Sequence, residues 1–348
     1  MTCYCEPLSG PTGMVSLALV LALCAWPGAA SGTATTKLKS GWQLASSAHI
    51  GDGLTGAELS QPGYDGSGWI ALETFPTTVL AALDAAGDAA KGVAAGEIFF
   101  SQNFDTVETA RFDVPWWYRV DLPASATAAA KDGGLALLTF EGLNYRANIW
   151  VNGKLLATNT TVAGAYRYFD VDATAALASG KQAGGALAIE VFRSYDWGLD
   201  CQNGKASTND QASCRGRNKT EAQDLAITWV DWAPAAHDAN MGLWRDVVLT
   251  TSTASASASS AAFPAASAAA VTCRYPGVNT KLSADNTAAE VEIIAECHNW
   301  GQSELSGSFQ VELGQLGKAQ ATVQLAAGQV PTIMLHHQPT FLGCRLSV

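Results

Sequence analysis

Apolar and polar positions alternate along Tyr145-Arg-Ala-Asn-Ile-Trp-Val151. The pattern puts Tyr145, Ala147, Ile149 and Val151 on one face and Arg146, Asn148 and Trp150 on the other. That period of two predicts a strand with one covered face. Asn152-Gly153 follows, a pair suited to the left-handed turn of a tight hairpin, and Lys154-Leu-Leu-Ala157 returns. Further strands are predicted over Ser40–Leu44, Trp116–Leu122, Tyr166–Val171 and Ala186–Arg193, while Leu135–Phe140 is a continuous apolar run fit for the middle of a sandwich. After a turn at Gly242, Trp244, Val247, Val248 and Leu249 read as one more strand. One short helix is predicted in the Ala- and Leu-rich stretch Val79–Lys91, with Thr77 and Thr78 as candidate N-caps. Short strands, frequent turns and few helices predict an all-β sandwich over residues 32–250.

The pattern then lapses. Thr250 to Ala270 is almost entirely Ser, Ala and Thr, a composition that cannot build a core, so residues 251–270 are expected to be a linker. Alternation resumes at Ala289–Glu296 and continues through Ser308–Leu313 and Ala321–Leu325; Gly328 marks a turn before Val330–Leu335. Residues 271–348 are therefore expected to form a second β-sandwich, a partial one, since no closing strand is identifiable beyond His336.

Composition narrows the partners. The chain is 48% hydrophobic and 15% charged, which excludes general disorder, and it carries a formal net charge of −11. Such a surface does not attract nucleic acid or an anionic membrane; a neutral polyol or a cationic amino-sugar suits it. The apolar run Val15–Trp26 has the length of a signal-peptide core and is too short to span a bilayer. Ala29-Ala-Ser31 offers a cleavage site, although no Lys or Arg precedes the run. Residues 1–31 are thus expected to be a signal peptide and the protein to be secreted.

Eight cysteines fit that compartment. Cys201 with Cys214, and Cys273 with Cys297, are candidate disulfide pairs, and Cys344 is left odd. Asn159-Thr-Thr and Asn218-Lys-Thr are candidate glycosylation acceptors. No metal site or cofactor is expected, because the sequence holds no Cys-x-x-Cys, phosphate-cradling loop or usable His pair.

The stretch with the most chemistry is Ile227-Thr-Trp-Val-Asp-Trp-Ala-Pro, running on to Asn240-Met-Gly-Leu-Trp-Arg-Asp-Val. Its irregular part, Asp231 to Asn240, contains Trp232, Pro234, His237 and Asp238. Indole faces stack on the C–H face of a pyranose, and carboxylates and amides hold its hydroxyls. Trp229 and Trp244 read equally as sandwich core, and on their strands they are expected to be buried.

This segment resembles the end of the N-terminal sugar-binding domain of glycoside hydrolase family 2, in its exo-β-D-glucosaminidase and β-mannosidase branch. Colinear support comes from Gly66-Ser-Gly-Trp69, Phe75-Pro-Thr-Thr-Val-Leu80, Pro115-Trp-Trp-Tyr-Arg119, Phe140-Glu-Gly-Leu-Asn-Tyr145, Ala147–Gly153 and Ala165–Val171. The resemblance implies a jelly roll followed by a partial immunoglobulin-like domain. It implies that Asp231 is a ligand to a sugar hydroxyl or amino group and Trp232 a wall of the pocket, with Asn240 and Arg245 bracing the loop. Ala233-Pro-Ala-Ala-His237 departs from the glucosaminidase pattern and leaves glucosamine against mannose open. Family members hydrolyse terminal β-glycosides with two carboxylates about 5 Å apart, carried on a (β/α)₈ barrel. The acid/base belongs to an Asn-Glu pair, which this sequence lacks. The expectation is a non-catalytic portion of such an enzyme whose barrel lies outside these 348 residues. The alternatives are a free-standing lectin-like protein or a cell-surface structural module.

Overall fold

The computed structural model describes residues 33–51, 53–193, 236–252, 271–282, 289–300, 304–312, 318–328 and 332–337. The chain divides into two compact units, one spanning Ala34–Thr253 and one that includes Ala254–Val348. The first begins with β1 (Thr33–Lys37), β2 (Gln43–Ser46), β3 (Ile70–Ala71), β4 (Thr77–Thr78), β5 (Trp116–Leu122) and β6 (Ala136–Phe140). It continues with β7 (Arg146–Val151), β8 (Lys154–Ala157), β9 (Phe169–Asp172), β10 (Gly185–Phe192), β11 (Gly242–Leu243) and β12 (Val247–Ser252). Among the described residues, four short α-helices interrupt them: α1 (Gly56–Leu59), α2 (Val79–Ala85), α3 (Ala124–Lys131) and α4 (Thr174–Ala178).

Two antiparallel sheets form the sandwich, a four-stranded one ordered β1-β12-β6-β9 and a six-stranded one ordered β3-β2-β5-β10-β7-β8. The core lies between them. Trp116, Tyr118 and Val120 enter it from β5, Ala147, Ile149 and Val151 from β7, and Leu138 and Phe140 from β6. Trp42 joins the same core just ahead of β2, stacked on Phe75 with ring centroids 4.2 Å apart. The alternation along β7 is the one expected, with Arg146, Asn148 and Trp150 only half-buried on the other face. Asn152 and Gly153 both take positive φ, 49° and 80°, as the hairpin turn requires.

β5 departs from simple alternation because both of its faces are covered. A strap containing α1 crosses the outer face of the six-stranded sheet, packing Leu59 on Trp117 and Ala188. Arg119, buried beneath it, donates from Nε to Leu59 O at 3.1 Å and from Nη2 to Gln61 O at 3.1 Å and to Asp121 at 2.8 Å. The guanidinium thereby takes up carbonyls at the C-terminal end of α1, which have no partner within the helix.

Several boundaries differ from expectation. The helix starting at Val79 ends at Ala85 instead of Lys91, because Gly87 turns the chain at φ 69°. Thr78 is its cap, the hydroxyl accepting from the Ala81 N–H. The strand expected over Ser40–Leu44 is Gln43–Ser46, and the one expected from Tyr166 starts at Phe169. Helices α3 and α4, which pack on each other, carry Ala-rich sequences that show no strand period.

The second unit has a three-stranded sheet of β13 (Val271–Leu282), β14 (Ala289–Asn299) and β17 (Thr332–His337), and a pair formed by β15 (Leu305–Glu312) and β16 (Lys318–Leu325). Along β14, Val291, Ile293, Ala295 and Cys297 are buried in alternation. A disulfide joins Cys273 to Cys297, which face each other directly in the β13–β14 register. Asn299 Nδ2 donates to Leu325 O at 2.9 Å, tying β14 to β16.

The central packing sets a stability contrast. Leu138→Ala empties a fully buried site and should cost about 2–5 kcal/mol. Leu155→Ala, on a side chain that is 49% exposed, should stay within about 0.5 kcal/mol. Denaturant midpoints of the two variants test the assignment of inner and outer positions.

Candidate functional site

Asp231 and Trp232, and with them Trp229, lie outside the described residues, as do Cys201, Cys214, Asn218 and Cys344. What the structure gives is the foot of the Asp231–Asn240 loop, from Ala236 onward, and how it is held.

The foot is organised by Asp238, the second aspartate of the loop, which is completely buried. Its Oδ2 accepts from the Leu80 N–H at 2.8 Å, one of the free donors in the first turn of α2, and its Oδ1 accepts from the Asn240 N–H at 2.8 Å. Burial pushes its carboxyl up to about 6, against the pull of the Leu80 and Asn240 N–H groups. The neighbouring Tyr118 phenol is also pushed up, first by burial and then by the Asp238 charge, so it stays protonated and donates to Thr77 O at 3.0 Å.

Around this carboxylate the backbone is doubly pinned. The Met241 N–H donates back to Asp238 O at 3.0 Å, and Met241 O accepts from the Val79 N–H at 2.8 Å. Asn144 and Gly242 exchange both backbone bonds, at 2.8 and 2.7 Å. The Asn144 carboxamide then donates to Ala239 O and Asn240 O, each at 2.9 Å. Ala239 and Asn240 both sit at φ 53°, a left-handed pair that these bonds hold in place. Gly242 has φ +143°, and a Cβ there would lie 2.5 Å from Tyr118 Oη and 2.7 Å from Thr78 Cα. Only glycine fits where β11 pairs with β4.

Asn240 therefore belongs to the foot through its main chain. Arg245 sits differently: its N–H donates to Gly142 O at 3.2 Å, and its exposed guanidinium lies 5.5 Å over the Trp244 ring. Trp244 is itself a correction. It falls between β11 and β12, not on a strand, and is half-buried, with Nε1 donating to Ala165 O at 3.0 Å and Tyr166 against its edge. Next in sequence, Asp246 is nearly buried and bonded by Lys37 and Lys39. Burial raises its carboxyl, but the two ammonium groups outweigh that and hold it below the usual carboxylate range.

The sequence reading missed one neighbour of the loop. His237 stacks on Phe104 at 4.2 Å, its Nε2 within 2.9 Å of Phe104 O, and Phe104 stacks on Phe99 at 5.4 Å. Phe99 and Phe100 are about two-thirds exposed. Two adjacent phenylalanines in a turn-rich segment were the available signal. The result is an apolar, aromatic wall beside the point where the loop leaves the sandwich. Among the described residues there is no group of His, Cys, Asp and Glu that could hold a metal ion, and no helix long and apolar enough to cross a membrane.

The arrangement can now be set beside known proteins. The model of the glycosyl hydrolase 2 galactose-binding domain-like family matches residues 42–245, from the core Trp42 to the end of the loop foot. The chain belongs to that family. Exo-β-D-glucosaminidase of Amycolatopsis orientalis is 33% identical over 222 residues, 64% of this chain and 17% of that protein. Its counterpart from Streptomyces avermitilis is 31% identical over 224 residues, 64% of this chain and 20% of that one. Among solved structures, the exo-chitosanase CsxA of Amycolatopsis orientalis superposes with a TM-score of 0.57 at 27% identity, over 87% of this chain and 28% of that one. The chain thus spans about a fifth of the length of the curated relatives it matches.

The Asp238 contacts have a pH signature. Its native value of about 6 lies above its ordinary 3.8, so the native state binds the proton more tightly. This group's contribution is full below about pH 4 and is lost as pH rises through 6, by on the order of 3 kcal/mol. The wild type should lose that much stability relative to Asp238→Asn between pH 4 and pH 7, as followed by denaturant midpoints. A pH-independent difference between the two proteins would refute the assignment.

Proposed function

We propose that this chain is the sugar-contacting, non-catalytic portion of a secreted family 2 glycosidase acting on terminal β-linked glucosamine. The observation that carries the reading is the extent of the family match, which runs through the Asp231–Asn240 loop to Arg245. The matched relatives are exo-β-D-glucosaminidases. The net charge of −11 favours a cationic amino-sugar over an anionic ligand. On this reading Asp231 meets the amino group or a hydroxyl and Trp232 stacks on the ring. The Phe99–Phe104–His237 stack then stands beside the loop as an aromatic wall. The carboxylate pair that breaks the glycosidic bond is supplied by a (β/α)₈ barrel beyond these residues.

Secretion is part of the proposal. It rests on the apolar run Val15–Trp26 and the small residues after it, and it entails a bond between Cys201 and Cys214 in the oxidised protein.

Two measurements test the reading. The purified chain should not hydrolyse aryl β-glucosaminides above background; turnover abolished by replacing one Asp or Glu of this chain would sink the non-catalytic assignment. Joined to the catalytic remainder of the Amycolatopsis orientalis relative, the chain should support turnover. Asp231→Ala should then lower kcat/KM roughly 10- to 100-fold, as loss of a charged hydrogen bond does, with stability within about 0.5 kcal/mol. Unchanged kinetics in Asp231→Ala would remove the sugar contact.

A further inference from the structure

We propose that Asn159 carries an N-linked glycan; the inference rests on the secretory reading above and assigns one modification site to it. Asn159-Thr160-Thr161 occupies the turn that follows β8, the edge strand of the six-stranded sheet. The turn is held without help from the asparagine side chain. The Asn159 N–H donates to Asn148 Oδ1 at 2.8 Å, and Asn148 Nδ2 donates in turn to Glu190 at 2.8 Å. The Thr161 hydroxyl donates to Thr158 O at 2.9 Å and accepts from the Thr158 N–H at 3.3 Å, while the Thr158 and Thr160 hydroxyls share a bond of 2.7 Å.

The Asn159 carboxamide makes no hydrogen bond among the described residues. By contrast Asn103, Asn144 and Asn152 each spend their carboxamides on main-chain carbonyls. A substituent on Asn159 Nδ2 therefore breaks no hydrogen bond among the described residues, and the half-buried residue already reaches solvent. At the end of an edge strand whose Lys154 and Leu155 are exposed, a bulky glycan also blocks pairing with another chain.

The donor is an oligosaccharide on a lipid diphosphate. Asn159 Nδ2 attacks C1 of the first sugar, the new C–N bond forms as the C1–O bond to the diphosphate breaks, and the lipid diphosphate leaves with the bonding pair. The displaced Nδ2 proton goes to a base of the transferase. A hydroxyl residue two positions on, here Thr161, marks the acceptor.

The test expresses the full chain in a eukaryotic secretory host, once from its own N-terminus and once behind a heterologous leader. Lumenal and secreted protein is treated with peptide-N-glycosidase in isotope-labelled water and mapped by mass spectrometry. The expected result is labelled aspartate at position 159, lost in Asn159→Gln and retained in Thr161→Ser. Lumenal protein with unmodified Asn159 overturns the proposal. If only the heterologous leader yields the glycosylated form, the secretory reading fails while the acceptor assignment stands. Circular dichroism of Asn159→Gln should match the wild type, since no side-chain hydrogen bond among the described residues is lost.

Discussion

A buried carboxylate sets the geometry of the end of the sandwich at the foot of the Asp231–Asn240 loop. Asp238 satisfies the Leu80 N–H in the first turn of α2 and the Asn240 N–H of its own loop at once. An ionised group with no water around it is tolerated only where fixed donors replace the solvent, and here those donors belong to the backbone. The consequence is positional. The loop can return to the sheet only along the path that keeps both bonds, which forces Ala239 and Asn240 into left-handed conformations and Gly242 against Tyr118 and Thr78. Asn144 closes the arrangement by holding Ala239 O and Asn240 O from the side. Each of these features would be strained alone; together they over-determine one backbone path.

Such a foot needs a base that does not yield, and the six-stranded sheet supplies it by being covered on both faces. Inside, Trp116 and Tyr118 fill the core; outside, Trp117 lies under the strap that carries α1. Gly56 makes the strap possible, since a Cβ there would fall 2.1 Å from the Trp150 ring. Burying Arg119 beneath it costs desolvation, offset by bonds to two carbonyls and to Asp121. Tyr118 links base to foot directly, because its hydroxyl bonds Thr77 O in β4, the strand that pairs with β11.

The parts of this structure visible in the sequence are those governed by local period and turn chemistry. β5 and β7, the Asn152-Gly153 hairpin and the Thr78 cap are each encoded within a few residues. The all-β class follows from them. Hidden from such a reading were features decided by distant partners. The burial of Asp238 depends on α2, 158 residues away in sequence, and nothing in Ala236–Asn240 distinguishes it from a loop carboxylate meant for solvent. Trp244 looked like a strand residue because bulky residues follow it. In the structure Gly142 leaves the room into which Trp244 and Arg245 pack, and the strand resumes only at Val247. The wall beside the loop escaped for the same reason, since Phe104 and His237 meet across 133 positions.

At the described foot of the loop Asp238 and Ala239 are buried and held by hydrogen bonds that involve main-chain groups. Such anchoring has a physical motive, since a misplacement of about 1 Å between a bound molecule and the groups that act on it costs on the order of 100-fold in rate. Loop tips are mobile unless their ends are fixed, and the cheapest way to fix them is to bury polar anchors where each has its full set of partners. Asp238, Asn144 and Gly242 form such an anchor, and they lie within the stretch matched by the family model. The charge of Asp238 makes the anchor conditional, for it is held against desolvation by backbone N–H groups alone. Its protonation changes a bonded group shared by α2 and the loop. The path of Ala236–Asn240 is thereby coupled to pH through a group buried in the sandwich.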